Sequence, residues 1–318
     1  MVNHFRAQMP PPLVGIGHSM GGNTIMNLAL LHPALFTTLV LSEATLKRIP
    51  AGRFRSSLSA AYGATFRKDV WPSRAEATKA MSKNRFFSSL DPRVTDLFMQ
   101  YGLRELPTPM YPDISSTSTT KPVTLTTTRH QEALGIARGA YPKPGQPLSS
   151  FVPQRSTHLE LATGATHRRE VAFYRPESYL TYEQLPNLQP TCLYIFASNA
   201  PEDPSVRDDI TSHTGIGVCG NGGLKTGGTQ NVLVDGAGHF VPFEKPKEVA
   251  ELCAAWMGKA LASWRRKDEE EERVWRSRSV ADKTSVDEEY IFWMRDQFDR
   301  KTAPPAKTAD ATTPSSKL

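Results

Sequence analysis

The chain has 318 residues, a net charge of +6, 39% hydrophobic residues, 25 prolines and three cysteines. This length and apolar content suffice for one large α/β domain with an insertion. The chain shows no basic stripe with interleaved aromatic residues, no apolar run of about 18 residues, and no cysteine spacing typical of disulfide frameworks or metal sites. These patterns argue against a nucleic-acid partner, a transmembrane segment and a metal or other cofactor, and the opening residues lack the apolar run of a signal peptide.

The first predicted elements surround a serine close to the start of the chain. The apolar residues 13–16 predict a short strand, and residues 17–21, GHSMG, match the G-x-S-x-G nucleophile elbow. Apolar residues then recur at helical spacing from Ile25 to Ala29, and His32 precedes a proline that ends the helix pattern. In α/β folds with this motif, the nucleophile lies at the strand-to-helix turn, so Ser19 is the predicted nucleophile.

Three further residues of this motif have predicted roles. The N-terminus of the following helix points its amides at the reaction site, so the Met20 backbone N–H is the predicted oxyanion donor. Side chains two positions before and after the serine would collide with the crossing strand and helix. Gly17 and Gly21 are therefore predicted to give the elbow the room that it needs.

A second loop offers a histidine that could accept the serine proton. Residues 232–234 predict a strand, and a helix pattern begins near Pro246. His239 lies in the glycine-containing loop between them, just beyond a C-terminal strand, and is the predicted general base. The other histidines are expected at the protein surface: His4, His18, His32, His130, His158, His167 and His213.

A carboxylate is also needed, because it fixes the tautomer of the histidine and stabilises its charged form. Glu43 is the preferred acid, since it ends the strand pattern TLVLS and should open onto the same carboxyl edge of a parallel sheet as the nucleophile. The alternatives are Glu202 and Asp203, which follow the penultimate strand pattern at residues 192–196. Ala200 occupies the position where an aspartate is expected after that strand.

These residues carry a family resemblance. Ser19, Glu43 and His239 occur together with the stretches GHSMGGNTI, DPRVTDLFMQYGLRELP, VTLTTTRHQEA, YLTYEQLPNLQPTCLYIF and GAGHFVPFEKP. From about residue 13 to residue 260, the chain resembles the fungal peroxisomal α/β-hydrolases of secondary metabolism. That group includes the mycophenolic acid acyl-CoA hydrolase and the AK-toxin biosynthesis hydrolase, and it is more distantly similar to the yeast peroxisomal lipase.

The resemblance implies an α/β-hydrolase fold and a serine hydrolase that cleaves a small-molecule acyl thioester or ester. It favours the acyl-CoA thioester of a fungal polyketide or toxin intermediate as substrate, with a lipid ester as the second choice. It also supports Glu43, because this group places its acid after the strand that follows the nucleophile. An aspartate of the family is replaced by a glutamate at this position.

The predicted elements fall into four segments. Residues 1–45 and 186–264 form the hydrolase core, and the polar, helix-favouring residues 46–185 form a helical cap inserted into it. Residues 265–300 combine a charged run with an amphipathic pattern and predict further helices. Residues 301–318 are rich in Pro, Ala and Thr, which predicts a flexible tail.

The tail closes with Ser316-Lys317-Leu318, the tripeptide that a peroxisomal import receptor reads as an address. A tail that cannot bury a core would leave the tripeptide accessible to that receptor. The import receptor is therefore a predicted partner, and the peroxisome is the predicted location.

The elbow motif comes early in the chain. A complete α/β-hydrolase sheet has about eight strands with the elbow after the fifth, so we expect an N-terminally truncated core that holds strands five to eight. A gene model that starts too late is the preferred explanation. The alternatives are a truncated, inactive paralogue that acts as a binding or interaction protein, and a weak enzyme whose exposed sheet edge is covered by other segments.

Overall fold

The computed structural model describes residues 4–46, 55–113, 120–154, 156, 158, 172–175, 177–200 and 203–302. The chain divides into two compact units, Met1–Ala262 and Ser263–Leu318. The strands within the described ranges are β1 Val14–His18, β2 Thr38–Ser42, β3 Val70–Trp71, β4 Leu103–Glu105, β5 Val123–Leu125, β6 Arg138–Gly139, β7 Phe173–Tyr174, β8 Thr191–Ala197 and β9 Thr229–Val234. The α-helices there are α1 Met20–Leu31, α2 Arg55–Phe66, α3 Arg74–Ser82, α4 Arg85–Ser89, α5 Pro92–Tyr101, α6 Arg129–Ile136, α7 Glu177–Gln184, α8 Pro204–His213, α9 Gly223–Thr226, α10 Val241–Glu244, α11 Pro246–Ser277, α12 Val280–Thr284 and α13 Glu288–Thr302.

The main sheet consists, within the described residues, of four parallel strands in the order β1-β2-β8-β9. All four correspond to strands predicted from the sequence. The register pairs His18 of β1 with Ser42 of β2, and Ser42 with Ile195 of β8. The residues that follow the first two strands, Ser19 and Glu43, therefore emerge side by side at the carboxyl edge of the sheet.

Two apolar layers cover the faces of this sheet. Successive side chains of a strand point to opposite faces, and β2 is buried along its whole length. Leu41 packs with Met26 of α1, whereas its neighbour Val40 packs with Trp256 of α11. The Trp256 indole N–H also donates to Thr38 Oγ1 across 2.8 Å. Full burial of such an apolar side chain contributes about 1.5–3 kcal/mol to the free energy of folding. These layers therefore hold the strand ends in place.

The chain between β2 and β8 forms the cap. Helices α2 to α7 lie in it, together with a three-stranded antiparallel sheet in the order β3-β5-β4 and the two-stranded sheet β6-β7. The predicted helical cap is therefore corrected to a mixed one. β5 forms there because Val123 and Leu125 are buried with Trp71 and Leu103 in an apolar core of the cap.

The second unit is helical within the described residues. The charged run continues as the last part of α11, up to Ser277. α12 begins with a capping box in which Ser279 and Asp282 exchange side-chain to backbone hydrogen bonds. α13 ends at Thr302, and the predicted signal Ser316-Lys317-Leu318 lies outside the described part of the chain. None of the described helices is long and apolar enough to span a membrane.

Candidate active site

The turn between β1 and α1 holds Ser19 in an unusual backbone conformation. Its φ of 53° and ψ of −120° are angles that few residues other than glycine adopt. Two main-chain hydrogen bonds tie the turn to β2 and to the segment after it: the Ser19 N–H donates to Ser42 O at 2.9 Å, and the Thr45 N–H donates to Ser19 O at 3.0 Å. The neighbouring strand and the segment after it thus maintain the strained conformation.

The crossing of strand and helix leaves no room for a side chain at two glycines. A Cβ at Gly17 would lie 2.6 Å from Gly22 N and 2.7 Å from Gly21 O, as the motif predicts. A Cβ at Gly21 would meet no atom within 4 Å, so the predicted collision there is wrong. The helix-side contact occurs at the next residue, where a Cβ at Gly22 would lie 2.8 Å from the Ala44 Cβ. The reason is the rotation of the first turn of α1, which buries residue 22 and exposes residue 21.

Alanine at the two motif glycines should have opposite effects on stability. We expect Gly17→Ala to lower the free energy of unfolding by about 2–3 kcal/mol, because backbone atoms must move to admit the methyl group. We expect Gly21→Ala to raise it by up to about 1 kcal/mol, because alanine favours a helix and meets no obstacle here. Urea unfolding followed by circular dichroism measures both values. Equal losses in the two variants would contradict this geometry.

Glu43, the preferred acid, directly follows β2. Its φ of 44° turns the chain away from the sheet, and its N–H donates to Ile195 O at 2.9 Å. The side chain is only 4% exposed, and its Oε1 accepts a 2.8 Å hydrogen bond from the Ala197 N–H. The carboxylate is therefore held through one oxygen, which leaves Oε2 to face another partner.

His239 lies between the serine and the carboxylate. Its Nε2 is 2.9 Å from Ser19 Oγ, and its Nδ1 is 3.3 Å from Glu43 Oε2. Because a carboxylate only accepts hydrogen bonds, the proton of the neutral ring belongs on Nδ1, and Nε2 is left to accept from the Ser19 hydroxyl. The structure thus brings the three residues selected from the sequence into one hydrogen-bonded series. A glutamate side chain is long enough to reach the histidine from this strand end.

Of the two alternative acids, Asp203 stands apart from this series. Asp203 caps α8, where its Oδ1 accepts from the Ser205 N–H at 2.8 Å and from the Ser205 hydroxyl at 2.7 Å. These hydrogen bonds hold the pKa of Asp203 below its ordinary value. Glu202 lies outside the described residues. Glu43 is therefore the carboxylate that the structure places at His239.

Two further groups lie beside the nucleophile. Met20 is the first residue of α1, so its N–H has no acceptor within the helix and sits at the positive end of the helix dipole. The Thr45 hydroxyl oxygen lies 3.2 Å from Ser19 Oγ. Sequence reasoning missed Thr45, because only the tight turn after β2 brings it back to the serine.

His18 corrects a further prediction, because it is partly buried and bonded to the backbone rather than free at the surface. Its ring Nε2 lies 2.7 Å from the carbonyl oxygen of His239, and its ring packs on Phe240 and Phe243 with centroid distances of 5.7 and 5.6 Å. Burial lowers the pKa of His18, so the ring is neutral at neutral pH. Its single N–H lies on Nε2, because a carbonyl oxygen can only accept. Its place next to the nucleophile in the motif was the one signal that could have identified it.

The lowered pKa of His18 predicts a pH-dependent contribution to stability. Below the ordinary pKa of 6.5, the unfolded chain binds a proton at His18 more readily than the folded chain, so stability falls as the pH falls through this value. A change from about pH 7.5 to about pH 5.5 should destabilise the parent protein more than His18→Gln, which cannot titrate. Urea unfolding at both pH values measures the difference. An equal loss of stability in both proteins would speak against a partly buried, neutral His18.

The cysteines lie outside the hydrogen-bonded series of Ser19, His239 and Glu43. The three cysteines form no disulfide. Burial raises the pKa of Cys192 to about 12, so this thiol stays protonated and is a poor nucleophile. Among the described residues, no group of three or more His, Cys, Asp or Glu side chains is placed to hold a metal ion.

A parallel sheet with a serine at a strand-to-helix turn, and with a histidine and a carboxylate at the same sheet edge, defines the α/β-hydrolase class of proteins. The sequence profile of the alpha/beta hydrolase family matches residues 1–252. The chain belongs to this alpha/beta hydrolase family. The fold class predicted from the elbow motif is therefore confirmed.

Individual relatives confirm the resemblance to fungal hydrolases. The chain is 37% identical over 291 residues to the type I acyl-CoA thioesterase mpaH of Penicillium brevicompactum, and the match covers 87% of this chain and 64% of that protein. It is 24% identical to the abhydrolase domain-containing protein AFT2-1 of Alternaria alternata, over 91% of this chain and 100% of that protein. The chain thus spans less than two thirds of the Penicillium relative.

A solved structure agrees with the fold. The chain is similar to the peroxisomal alpha-beta-hydrolase Lpx1 of Saccharomyces cerevisiae, with a TM-score of 0.52 and 14% sequence identity. The match covers 96% of this chain and 66% of that chain. At this identity the similarity supports the α/β-hydrolase fold alone.

Proposed function

We propose that the chain carries the catalytic residues of a serine hydrolase that cleaves acyl thioesters. The observation that carries this proposal is the hydrogen-bonded series from Ser19 through His239 to Glu43, with distances of 2.9 and 3.3 Å. A serine hydroxyl is a weak nucleophile unless a base accepts its proton. A neutral histidine whose Nδ1–H is committed to a carboxylate is such a base.

In the proposed reaction, Ser19 Oγ attacks the carbonyl carbon of the thioester while His239 Nε2 accepts the hydroxyl proton. Glu43 stabilises the imidazolium, and the Met20 N–H donates to the oxyanion of the tetrahedral intermediate. His239 then returns the proton to the departing thiolate, which leaves as a free thiol. Water, activated by the same histidine, hydrolyses the acyl-serine and restores the starting state.

The proposed substrate class is the acyl-CoA thioester of a fungal secondary-metabolite or toxin intermediate. The Penicillium relative, which is described as an acyl-CoA thioesterase, supports the thioester. Partly exposed aromatic rings beside the base support an apolar acyl group. The Phe240 ring lies 5.4 Å from the His239 ring and 4.8 Å from the Phe86 ring of the cap. An ester of a lipid acyl group is the second choice.

A matched pair of substrates tests this proposal: an aromatic acyl-CoA and the oxygen ester of the same acyl group. We expect release of the coenzyme A thiol, detected with a thiol-reactive dye, to be faster than ester cleavage. Preferential ester cleavage would reassign the chain as an esterase or lipase. A folded chain that cleaves neither substrate and has no reactive Ser19 would be an inactive binding protein.

We further propose that the protein enters peroxisomes through Ser316-Lys317-Leu318. An import receptor reads this tripeptide at a free carboxyl terminus, and the similar yeast structure is described as peroxisomal. A fluorescent reporter that ends in residues 301–318 should accumulate in peroxisomes, whereas the same reporter without Leu318 should stay dispersed. Dispersal of both reporters would overturn the proposed location.

A further inference from the structure

Three backbone groups around His239 bond to side chains. The Gly238 N–H donates to Glu244 Oε2 at 2.6 Å, and the Phe240 N–H donates to Glu244 Oε1 at 3.2 Å. The His239 carbonyl oxygen accepts from His18 Nε2 at 2.7 Å. Two side chains therefore bind the backbone immediately before, at and after the histidine.

Both side chains come from anchored parts of the fold. His18 is the last residue of β1 and pairs with β2 in the main sheet. Glu244 ends α10, where the Phe243 carbonyl oxygen accepts a 2.9 Å hydrogen bond from the Asp91 N–H of the cap. A Cβ at Gly238 would lie 3.0 Å from Glu244 Oε1, so the glycine lets the carboxylate approach the backbone closely.

We propose that His18 and Glu244 are positioning residues that together hold the His239 ring between the nucleophile and the acid. This inference rests on the proposed function, because it explains how the general base is held. The hydrogen bonds of these two side chains reach the backbone around the base and not the reacting atoms. Without them, residues 238–240 can shift, and a misplacement of about 1 Å can lower a rate about 100-fold.

The chemistry of the side chains provides matched variants. Glu244→Gln keeps the size of the side chain but replaces one acceptor oxygen by an amide NH₂, which cannot accept a backbone N–H. His18→Leu removes the donor to the His239 carbonyl oxygen. His18→Gln retains a side-chain N–H donor and is the conservative substitution at this position.

The rate at which a fluorophosphonate labels Ser19 tests the positioning role. We expect His18→Leu and Glu244→Gln each to lower this rate about 10- to 100-fold, and His18→Gln to stay within about threefold of the parent. His130→Leu and Glu248→Gln change exposed residues and are the matched controls. Circular dichroism verifies folding, and the isosteric Glu244→Gln carries the test if His18→Leu does not fold.

Two kinetic signatures separate positioning from a general loss of structure. The labelling rate of the double variant His18→Leu/Glu244→Gln should fall by a smaller factor than the product of the two single-variant factors. The reason is that either substitution alone already releases the same loop. With a thioester substrate, the loss should fall on kcat rather than on KM. The inference would be overturned if the double variant lowered the labelling rate by the full product of the two single-variant factors. A change confined to KM would overturn it as well.

Hydrogen–deuterium exchange of a peptide that covers residues 235–244 reports these bonds without any turnover. We expect faster exchange of the Gly238 and Phe240 amides in His18→Leu and Glu244→Gln, with slower exchange restored in His18→Gln. Unchanged exchange would overturn the inference, and so would faster exchange at an unchanged labelling rate. If the parent chain is not labelled at all, the proposed function fails, and exchange alone decides whether the two residues hold the loop.

Discussion

Ser19→Ala should abolish fluorophosphonate labelling and lower kcat for thioester hydrolysis by about 10⁶-fold. The serine oxygen is the atom that lies 2.9 Å from His239 Nε2, and an alanine offers no nucleophile there. The neighbouring Thr45 hydroxyl bonds to Ser19 Oγ rather than to the histidine ring, so it has no base to accept its proton. Mass spectrometry of the labelled protein and a thiol-release assay measure the two losses.

Ser212→Ala is the matched control for this substitution. Ser212 is exposed on α8, and its hydroxyl bonds only within its own helix, to Asp209 O at 3.1 Å. This variant should label and turn over like the parent protein. If Ser19→Ala retained the labelling of the parent, another residue would be the nucleophile and the assignment of the triad would be wrong.

Glu43→Gln should lower kcat by about 10³- to 10⁴-fold while leaving the fold intact. The Ala197 N–H already bonds to Oε1 of residue 43, so the oxygen of the glutamine amide will occupy that position. The amide NH₂ then faces His239 Nδ1 and donates to it. The ring must place its proton on Nε2, which points at Ser19 Oγ and can no longer accept from it.

Two comparisons isolate this tautomer effect from loss of the side chain. Glu43→Asp keeps the charge but is one methylene shorter, so we expect a smaller loss of about 10-fold, from a weaker contact with His239. Glu76→Gln, at an exposed position of α3, should behave like the parent protein. Full activity of Glu43→Gln in the thiol-release assay would show that this carboxylate is not the triad acid.

The hydrogen-bonded series of Ser19, His239 and Glu43 was predictable because its signals are local. The glycine motif with a strand before it and a helix after it identifies Ser19, and short apolar runs identify the buried parallel strands. Glu43 and His239 follow, since the parallel strands of one sheet end at the same edge. Family resemblance strengthened the choice of Glu43 over Asp203, whose role as a helix cap was visible only in the structure.

Other features depend on contacts that a linear pattern does not contain. The His18 ring reaches a carbonyl oxygen 221 positions away in the sequence. The rotation of α1 decides that Gly22, rather than Gly21, faces Ala44. In the cap, the stretch around Val123 forms a strand only because β3 and β4 provide partners on both sides. Each of these outcomes is set by tertiary packing rather than by local propensity.

The cap leaves the main sheet after β2 and returns to it at β8, and these two strands are hydrogen-bonded neighbours. The inserted cap segment therefore begins and ends at two strands that the sheet already holds together. The entropic cost of closing an inserted segment grows only slowly with its length. The cap can therefore be lengthened, shortened or exchanged without disturbing the hydrogen bonds of the main sheet. Ser19 precedes this junction, and Glu43 lies at its start, where β8 holds it through the Ile195 carbonyl oxygen and the Ala197 N–H. We therefore expect a chimeric protein with an exchanged cap to keep the spacing of Ser19 and Glu43, provided that it also keeps the hydrogen bond from Asp91 to the helix that carries Glu244.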